Sequence, residues 1–504
     1  MANSSHQSFA NKLLPIIWPT TAPDIGEQTR RRVVLHLIPF LFFLYILAYL
    51  DRVNVSVAKL GMNEQVYSGG LGFNDKIVGF GFGIFFWGYW ILEVPSTLSV
   101  LKWGARYVFV RILVLWGLSC VLIGFIGMPW MNSWLGWLPP IDKLPLPQWL
   151  LDILPHYKPG DPGMDPAHDP RTVSQFYFFR FMLGFFEGGF FPSVILYLSL
   201  WFRPQDRARA IATFMSAIPV SSALGSPLSG LLLNVDWLGM PGWRWVFIIQ
   251  GLVPIVAGFL TLFFLPNRPR DAAWLPENEK SWLVNELHAE EAEKKGRHGP
   301  GAWIGQAWVV LLLTGFYFCM NVTSYGLSSF MPTIIKEQSG LSSTMASVVA
   351  GLPFVAALAG MLVNGWHSDK TQERIFHTAV PLACLSVGLF LASYCNDMGW
   401  VAVLIMIFGV GTFMYAHLPA FWPIPSAFLG AVAAAAAIGF INMIGNLGGF
   451  VGPVIFGGAA ENKEFARGLR LLAPFPLISV AIILFVGYLR RDRLPTRPDV
   501  ARKP

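Results

Sequence analysis

Charge is scarce in this chain. Of its 504 residues only 13% are Asp, Glu, Lys or Arg, 54% are hydrophobic, and the mean hydropathy is +0.52. Apolar runs of about 20 residues recur along the sequence, which excludes a large water-soluble enzyme and leaves a polytopic membrane protein. Cysteine is scarce too. Cys120, Cys319, Cys384 and Cys395 stand in or beside apolar runs without metal-ligand spacing, so they read as reduced, buried packing residues and no metal site is expected. There is no glycine-rich phosphate loop ending in Lys-Ser/Thr, so no cofactor is implied. Nor is there a nucleophile–base pair or metal cluster to mark an enzyme. The segment from Met1 to Arg32 is polar and lacks a signal-peptide pattern, which leaves insertion to the first span. The net charge of +7 belongs to basic residues beside membrane spans rather than to a nucleic-acid partner.

What is present is a series of apolar spans. Twelve are expected, at about 33–58, 77–99, 107–127, 173–199, 210–233, 244–265, 303–331, 343–365, 376–396, 399–419, 426–457 and 468–489. An even number places both termini on one side. Arg30 to Arg32, Lys102, Arg106, Arg203, Arg207, Arg209, Lys370, Arg374, Arg490, Arg491 and Arg493 all fall on that side, which marks it as cytoplasmic. The organisation follows: an N-terminal segment 1–32, a six-helix half 33–265, a cytoplasmic linker 266–302, a second half 303–489 and a tail 490–504. Within the linker, Leu283, Leu287 and the run from Glu290 to Lys295 suggest a short amphipathic surface helix. A faint repeat, Gly225-Ser-Pro227 in the fifth span and Gly452-Pro453 in the eleventh, supports two parallel halves about a central site. The external insert 128–172 is rich in proline and tryptophan. It reads as an added loop, with Trp149 on a short interfacial helix.

One stretch carries charge into a span: Arg180-Phe-Met-Leu-Gly184-Phe-Phe-Glu187-Gly188-Gly189-Phe-Phe-Pro192. A charge at the centre of a spanning helix costs about 2.5–3.5 kcal/mol on insertion scales, so such residues face a cavity or a partner. Seven residues apart, Arg180 and Glu187 share a stripe roughly 10 Å long. Gly184 and Gly188 beside it allow a neighbouring helix to pack closely. A fixed cation and a titratable acid on one buried face suit a proton-linked carrier of anions; a structural ion pair is the alternative. Arg52 and Arg180 are the candidates for a substrate carboxylate, because a guanidinium offers two parallel donors. Glu187 lies among Phe185, Phe186, Phe190 and Phe191. Such burial favours the neutral acid and a nearby cation favours the carboxylate, so an anion on the arginine can tip the balance. Tyr49, Tyr89, Tyr325 and Trp422 offer hydrogen bonds and an aromatic wall, or plain core packing. Asn442 and Asn446 share a face as ligands or interhelical contacts. Glu93 reads as a gate or interdomain contact, and His417 as a packing histidine.

The first span ends Tyr49-Leu-Asp51-Arg52-Val-Asn54, and the second contains Gly88-Tyr89-Trp-Ile-Leu-Glu93-Val-Pro95-Ser before Lys102-Trp-Gly104-Ala-Arg106. Arg180, Glu187 and Pro192 follow, then Tyr325-Gly-Leu before Pro332, Ser368-Asp369-Lys370 with Glu373-Arg374 and His377, and Phe440-Ile-Asn442-Met-Ile-Gly-Asn446-Leu-Gly-Gly. Together these resemble the anion:cation symporter branch of the major facilitator superfamily, carriers of tartrate, hexonates, aromatic acids and allantoate. The resemblance covers nearly the whole chain apart from the insert and the ends. It implies that Asp51 and Glu187 are protonation sites and favours Asn442 as a substrate ligand. It also implies a conformational latch in the loops after the second and eighth spans. In the first half the usual Asp-Arg pair is replaced by Lys102-Trp103-Gly104-Ala105-Arg106, so the latch is retained only in the second half, where Asp369 stands with Lys370; Arg106 and Arg374 are further gating candidates.

The expectation is therefore an all-α, twelve-span secondary transporter in two six-helix halves. It would take up a small organic anion with protons by alternating access, as a monomer, in the cell membrane of a bacterium with both termini inside. Its partners would be the anion, protons and the lipid bilayer, with no nucleic acid. An exporter or antiporter of amphipathic compounds is the rival, suggested by the aromatic content, although two arginines at membrane depth disfavour a cationic cargo.

Overall fold

Among the described residues, twelve helices long and apolar enough to cross a membrane follow one another: Ile25–Met62, Asp75–Trp103, Ala105–Ile123, Arg171–Ser199, Arg209–Leu232, Gly242–Phe264, Ala307–Ser339, Ser343–Thr371, Ile375–Tyr394, Trp400–Pro425, Ala437–Ala460 and Phe465–Leu489, here spans 1 to 12. The structure is a computed structural model that describes residues 24–145, 147–148, 151, 154–156, 167–295, 307–428, 431–460 and 464–489. Span 1 begins eight residues before the expected 33, because Arg30 and Arg32 find partners on the helix. Arg30 bonds Glu27 and lies 3.3 Å from Asp206, and Arg32 lies 3.1 Å from Glu279. Span 7 runs past the expected 331, since a proline such as Pro332 interrupts a spanning helix without ending it.

Glycine sets the closest packing. A Cβ at Gly188 would stand 2.6 Å from the Tyr89 carbonyl, and one at Gly184 would overlap that of Phe85, so spans 2 and 4 touch backbone to backbone. Span 4 is also broken. Its first segment ends at Glu187, and Gly189 has a φ of 87°, open to glycine at little cost, before helix resumes at Phe190–Ser199. The acid thus sits at the end of a helical segment rather than within one.

The first six spans meet the last six at the end of the bundle away from the termini. There a Cβ at Gly79 of span 2 would come within 2.5 Å of the Pro453 carbonyl of span 11. Ser226 Oγ of span 5 donates to the Ser347 carbonyl of span 8 at 2.8 Å. Lys59 Nζ is 3.1 Å from Asp75 Oδ1 and 3.5 Å from the ring centroid of Phe330 in span 7.

The two connecting segments are both docked. The linker forms the helix Glu277–Lys295; its Leu283 is buried, and the Trp282 ring fills the place of a Cβ on Gly26. Met131, Leu135, Ile141 and Leu151 of the insert are buried in the same cluster as Phe73 and Phe176. Gln175 Nε2 donates to Asn132 Oδ1 at 2.7 Å, and the Tyr177 hydroxyl to the Pro155 carbonyl at 2.7 Å. The described part of the insert is therefore packed against span 4 and the loop before span 2 rather than a loose loop. Trp149 and the segments 1–23, 296–306 and 490–504 lie outside the described residues.

Candidate functional site

Arg52 and Glu187 form the centre of the bundle. Arg52 Nε and Nη2 both donate to Glu187 Oε1, at 2.9 and 2.6 Å, while Nη1 donates to the Tyr325 hydroxyl at 3.1 Å. The guanidinium carbon lies 4.8 Å from the ring centroid of Tyr49, 5.0 Å from Tyr89 and 5.5 Å from Phe85. The hydroxyls of Tyr49 and Tyr325 are 3.3 Å apart. Three expected tyrosines are thus gathered around one arginine, whose charge is spread over aromatic faces as well as a carboxylate. Glu187 is fully buried, and its Oε2 has no hydrogen-bond partner among the described residues.

Arg180, seven residues before Glu187, bonds elsewhere. Its Nε donates to the Gly81 carbonyl at 3.1 Å, and the guanidinium lies 5.4 Å from the Phe85 ring and 5.7 Å from Phe82. Nη1 and Nη2 are buried without a hydrogen-bond partner among the described residues. The shared stripe does not produce an Arg180–Glu187 bond, because Arg52 occupies the acid from span 1.

Asp51, next to Arg52 in sequence, points the other way and is held by neutral donors. Trp116 Nε1 donates to Oδ2; Asn54 Nδ2 and Cys120 Sγ donate to Oδ1 at 3.1 and 3.2 Å. The roughly 100° between neighbours on a helix separates the two side chains. Asp51 thus neutralises no arginine by direct contact. Trp116 and Cys120 were invisible as functional residues, since an indole and a thiol in apolar runs look like packing.

The remaining polar residues close a circuit through four spans. Arg52 bonds Tyr325; four residues earlier on span 7, Asn321 Nδ2 donates to the Gly445 carbonyl at 3.1 Å and approaches Asn446 Oδ1 at 3.4 Å. Four residues before Asn446, Asn442 Nδ2 donates to Glu93 Oε1 of span 2 at 2.8 Å. Four residues before Glu93 stands Tyr89, against Arg52. Steps of four keep each pair on one helical face. Glu93 is thus an inter-half contact with Asn442. Trp422 joins no tyrosine of the Arg52 group. It meets Tyr317 edge-on at 5.1 Å, with Phe421 beside it.

Four residues stand apart from this centre. Arg106 Nε donates to the Leu265 carbonyl at 2.8 Å, and its backbone N–H to Asn267 Oδ1, tying span 3 to the end of span 6. Asp369, in the last turn of span 8, pairs at 2.7 Å with Arg374 just beyond it. His417 is buried beside Phe316, with neither ring nitrogen hydrogen-bonded among the described residues. Among the described residues no group of His, Cys, Asp and Glu could hold a metal.

The buried Arg52 and Arg180, with the buried acids Asp51, Glu93 and Glu187, narrow the comparison with known proteins. Residues 161–453 match the model of the Major Facilitator Superfamily. A protein of Agrobacterium vitis provisionally named a tartrate transporter is 36% identical over 467 residues, which cover 92% of this chain and 96% of the relative. The chain belongs to the major facilitator superfamily. Another relative, a quinolone resistance transporter of Acinetobacter baumannii, is 31% identical and covers 95% of this chain and 100% of its own. In fold, this superfamily member is similar to a bacterial homologue of the human lysosomal transporter Spinster, solved inward-facing and unoccupied. The TM-score is 0.66 at 15% identity, over 93% of this chain and 99% of that one.

Proposed function

We propose that this transporter takes up a small organic anion, a carboxylate, together with protons, by alternating access between the two six-span halves. The observation that carries the reading is Arg180: a fully buried guanidinium with both η nitrogens unpartnered among the described residues, sharing the Phe85 ring with Arg52. A cation kept at that depth without a carboxylate in contact costs free energy unless a ligand supplies the anion. A cargo carboxylate can take the two η donors of Arg180 as a fork and draw on Arg52.

Coupling follows from the pair already present. Cargo that takes Arg52 from Glu187 would leave a buried, unpaired carboxylate, and breaking such a pair costs about 3–5 kcal/mol. A proton on Glu187 removes that cost, so anion and proton load together. Asp51, caged by Trp116, Asn54 and Cys120, is the second proposed proton site. In this reading Arg106, Asp369 and Arg374 brace the loops that move, both termini are cytoplasmic, and the carrier acts as a monomer in a bacterial inner membrane. Expulsion of amphipathic cations fits this centre poorly, since its unpaired donors are cationic.

Calorimetry with a panel of carboxylates tests the site. Arg180→Ala should weaken binding by about 10- to 100-fold, as expected for one charge-assisted hydrogen-bonded contact, and Arg180→Lys should recover little because an ammonium lacks the fork. Unchanged affinity in Arg180→Ala would remove Arg180 from the substrate site.

A further inference from the structure

Asp51, Asn54, Trp116 and Cys120 are fully buried, and the bonds among them do not treat the two forms of the aspartate alike. An indole N–H only donates, and a bond to a charged oxygen is about twice as strong as one to a neutral oxygen. Trp116 Nε1, on Asp51 Oδ2, therefore favours the carboxylate. A thiol carries one hydrogen. Cys120 Sγ stands 3.2 Å from Asp51 Oδ1 and 3.4 Å from the Phe247 carbonyl of span 6, so its hydrogen can serve either. Asn54 differs from both. Its Nδ2 donates to Asp51 Oδ1 at 3.1 Å, while its Oδ1 is buried without a hydrogen-bond partner among the described residues. Half a turn of the amide exchanges these two atoms and sets an acceptor where the donor stood. Buried acceptors left unmet are rare, and this one lies beside an acid with a proton to offer.

We infer that Trp116, Cys120 and Asn54 are positioning residues of the Asp51 proton site: Trp116 and Cys120 hold the carboxylate, and the Asn54 amide turns over to hold the acid. The inference rests on the reading of Asp51 as a proton site. With the proton off, three donors meet the two carboxylate oxygens. When a proton from water settles on Asp51 Oδ1, Asn54 Oδ1 accepts it and the thiol hydrogen passes to the Phe247 carbonyl. Only the Trp116 bond keeps its partner, and it weakens. Proton uptake thus exchanges bonds inside the cage and leaves no hydroxyl stranded. The charges around the cage are few. On span 1, Arg52 is turned to Glu187; on span 4, Arg180 and Glu187 act on Asp51 through space without a bond to it. Span 3 brings Cys120, and span 6 presents the Phe247 carbonyl. Substitutions within the cage leave the arginines and Glu187 in place, so a shift they cause reports the cage.

Infrared spectra of the purified carrier, recorded as the pH is lowered, test this. The carboxylic-acid C=O band that Asp51→Asn lacks reports the Asp51 proton, and the S–H band that Cys120→Ala lacks reports the partner of the thiol. In the wild type both should change at one midpoint. Trp116→Phe removes a donor alone and should move the Asp51 midpoint up by about one pH unit, a 10-fold gain in proton affinity. Asn54→Leu removes the donor to one form and the acceptor from the other, so it should move the midpoint less than half as far. A purely structural role would leave the midpoint where it is. Should Trp116→Phe fail to fold, Cys120→Ala must move the midpoint up, and the wild-type bands must still change together. A shift in Asn54→Leu as large as that in Trp116→Phe overturns the turning amide. An S–H band that stays fixed while the C=O band grows overturns the exchange at Cys120. An unmoved midpoint in both Trp116→Phe and Cys120→Ala overturns the cage and leaves Asp51 a proton site. If no C=O band is lost in Asp51→Asn, the proton-site reading falls, and this inference with it.

Discussion

Among the described residues Glu187 is held by Arg52 alone, and that makes its role separable. Both bonds it accepts come from Arg52, and both reach the same oxygen. Glutamine keeps the size and hydrogen-bonding of the protonated acid but has no proton to release. Glu187→Gln should therefore still exchange labelled for unlabelled cargo in proteoliposomes while gradient-driven accumulation collapses. Accumulation at the wild-type rate would end the coupling role of Glu187. The arginines and acids were legible in the sequence because charge inside an apolar run demands a reason. Their pairing was not. Periodicity put Arg180 and Glu187 on one stripe, but which arginine reaches the acid depends on how span 1 sits against span 4. The donors to Asp51 were hidden for a related reason, since Trp116 and Cys120 become polar partners only once span 3 packs on span 1.

At the scale of single helices, the contact between spans 2 and 4 is decided by the absence of side chains. A methyl at Gly184 would overlap the carbonyl of Phe85, an atom of a helix backbone that cannot turn aside. Gly184→Ala should destabilise the carrier by about 1–3 kcal/mol, the usual cost of overpacking, visible as a lower melting temperature of the purified protein. An unchanged melting temperature would mean that spans 2 and 4 are less closely apposed. Long apolar runs made the twelve spans readable, and the glycine spacing announced a close neighbour without saying which. The ends were harder to read. Span 1 gains its first turns from Arg30 and Arg32, whose partners Asp206 and Glu279 lie far away in sequence. The insert's Met131 and Leu135 are too few to form an apolar run, so their burial was not foreseeable.

Across the whole molecule, the seam between Ser226 and Ser347 must part if the bundle opens at the end away from the termini. Cysteines at these two positions, in a background without the four native ones, should accept a short reducible cross-linker. The cross-linked carrier should lose transport and regain it on reduction; transport by the cross-linked form would show that this seam does not move. Orientation can be read separately: cysteines at Ser133 and Ser281 should label from opposite faces of the membrane. The docked linker bears on how such a chain is made. Trp282 and Glu279 find their partners, Gly26 and Arg32, within span 1, so the first half can gather its own closing helix before the seventh span leaves the ribosome. Synthesis from the N-terminus would then produce a finished six-span body first, and a second body that inserts beside a neighbour already in shape. Two pieces divided between residues 295 and 307 and made together in one cell should reassemble into a working carrier.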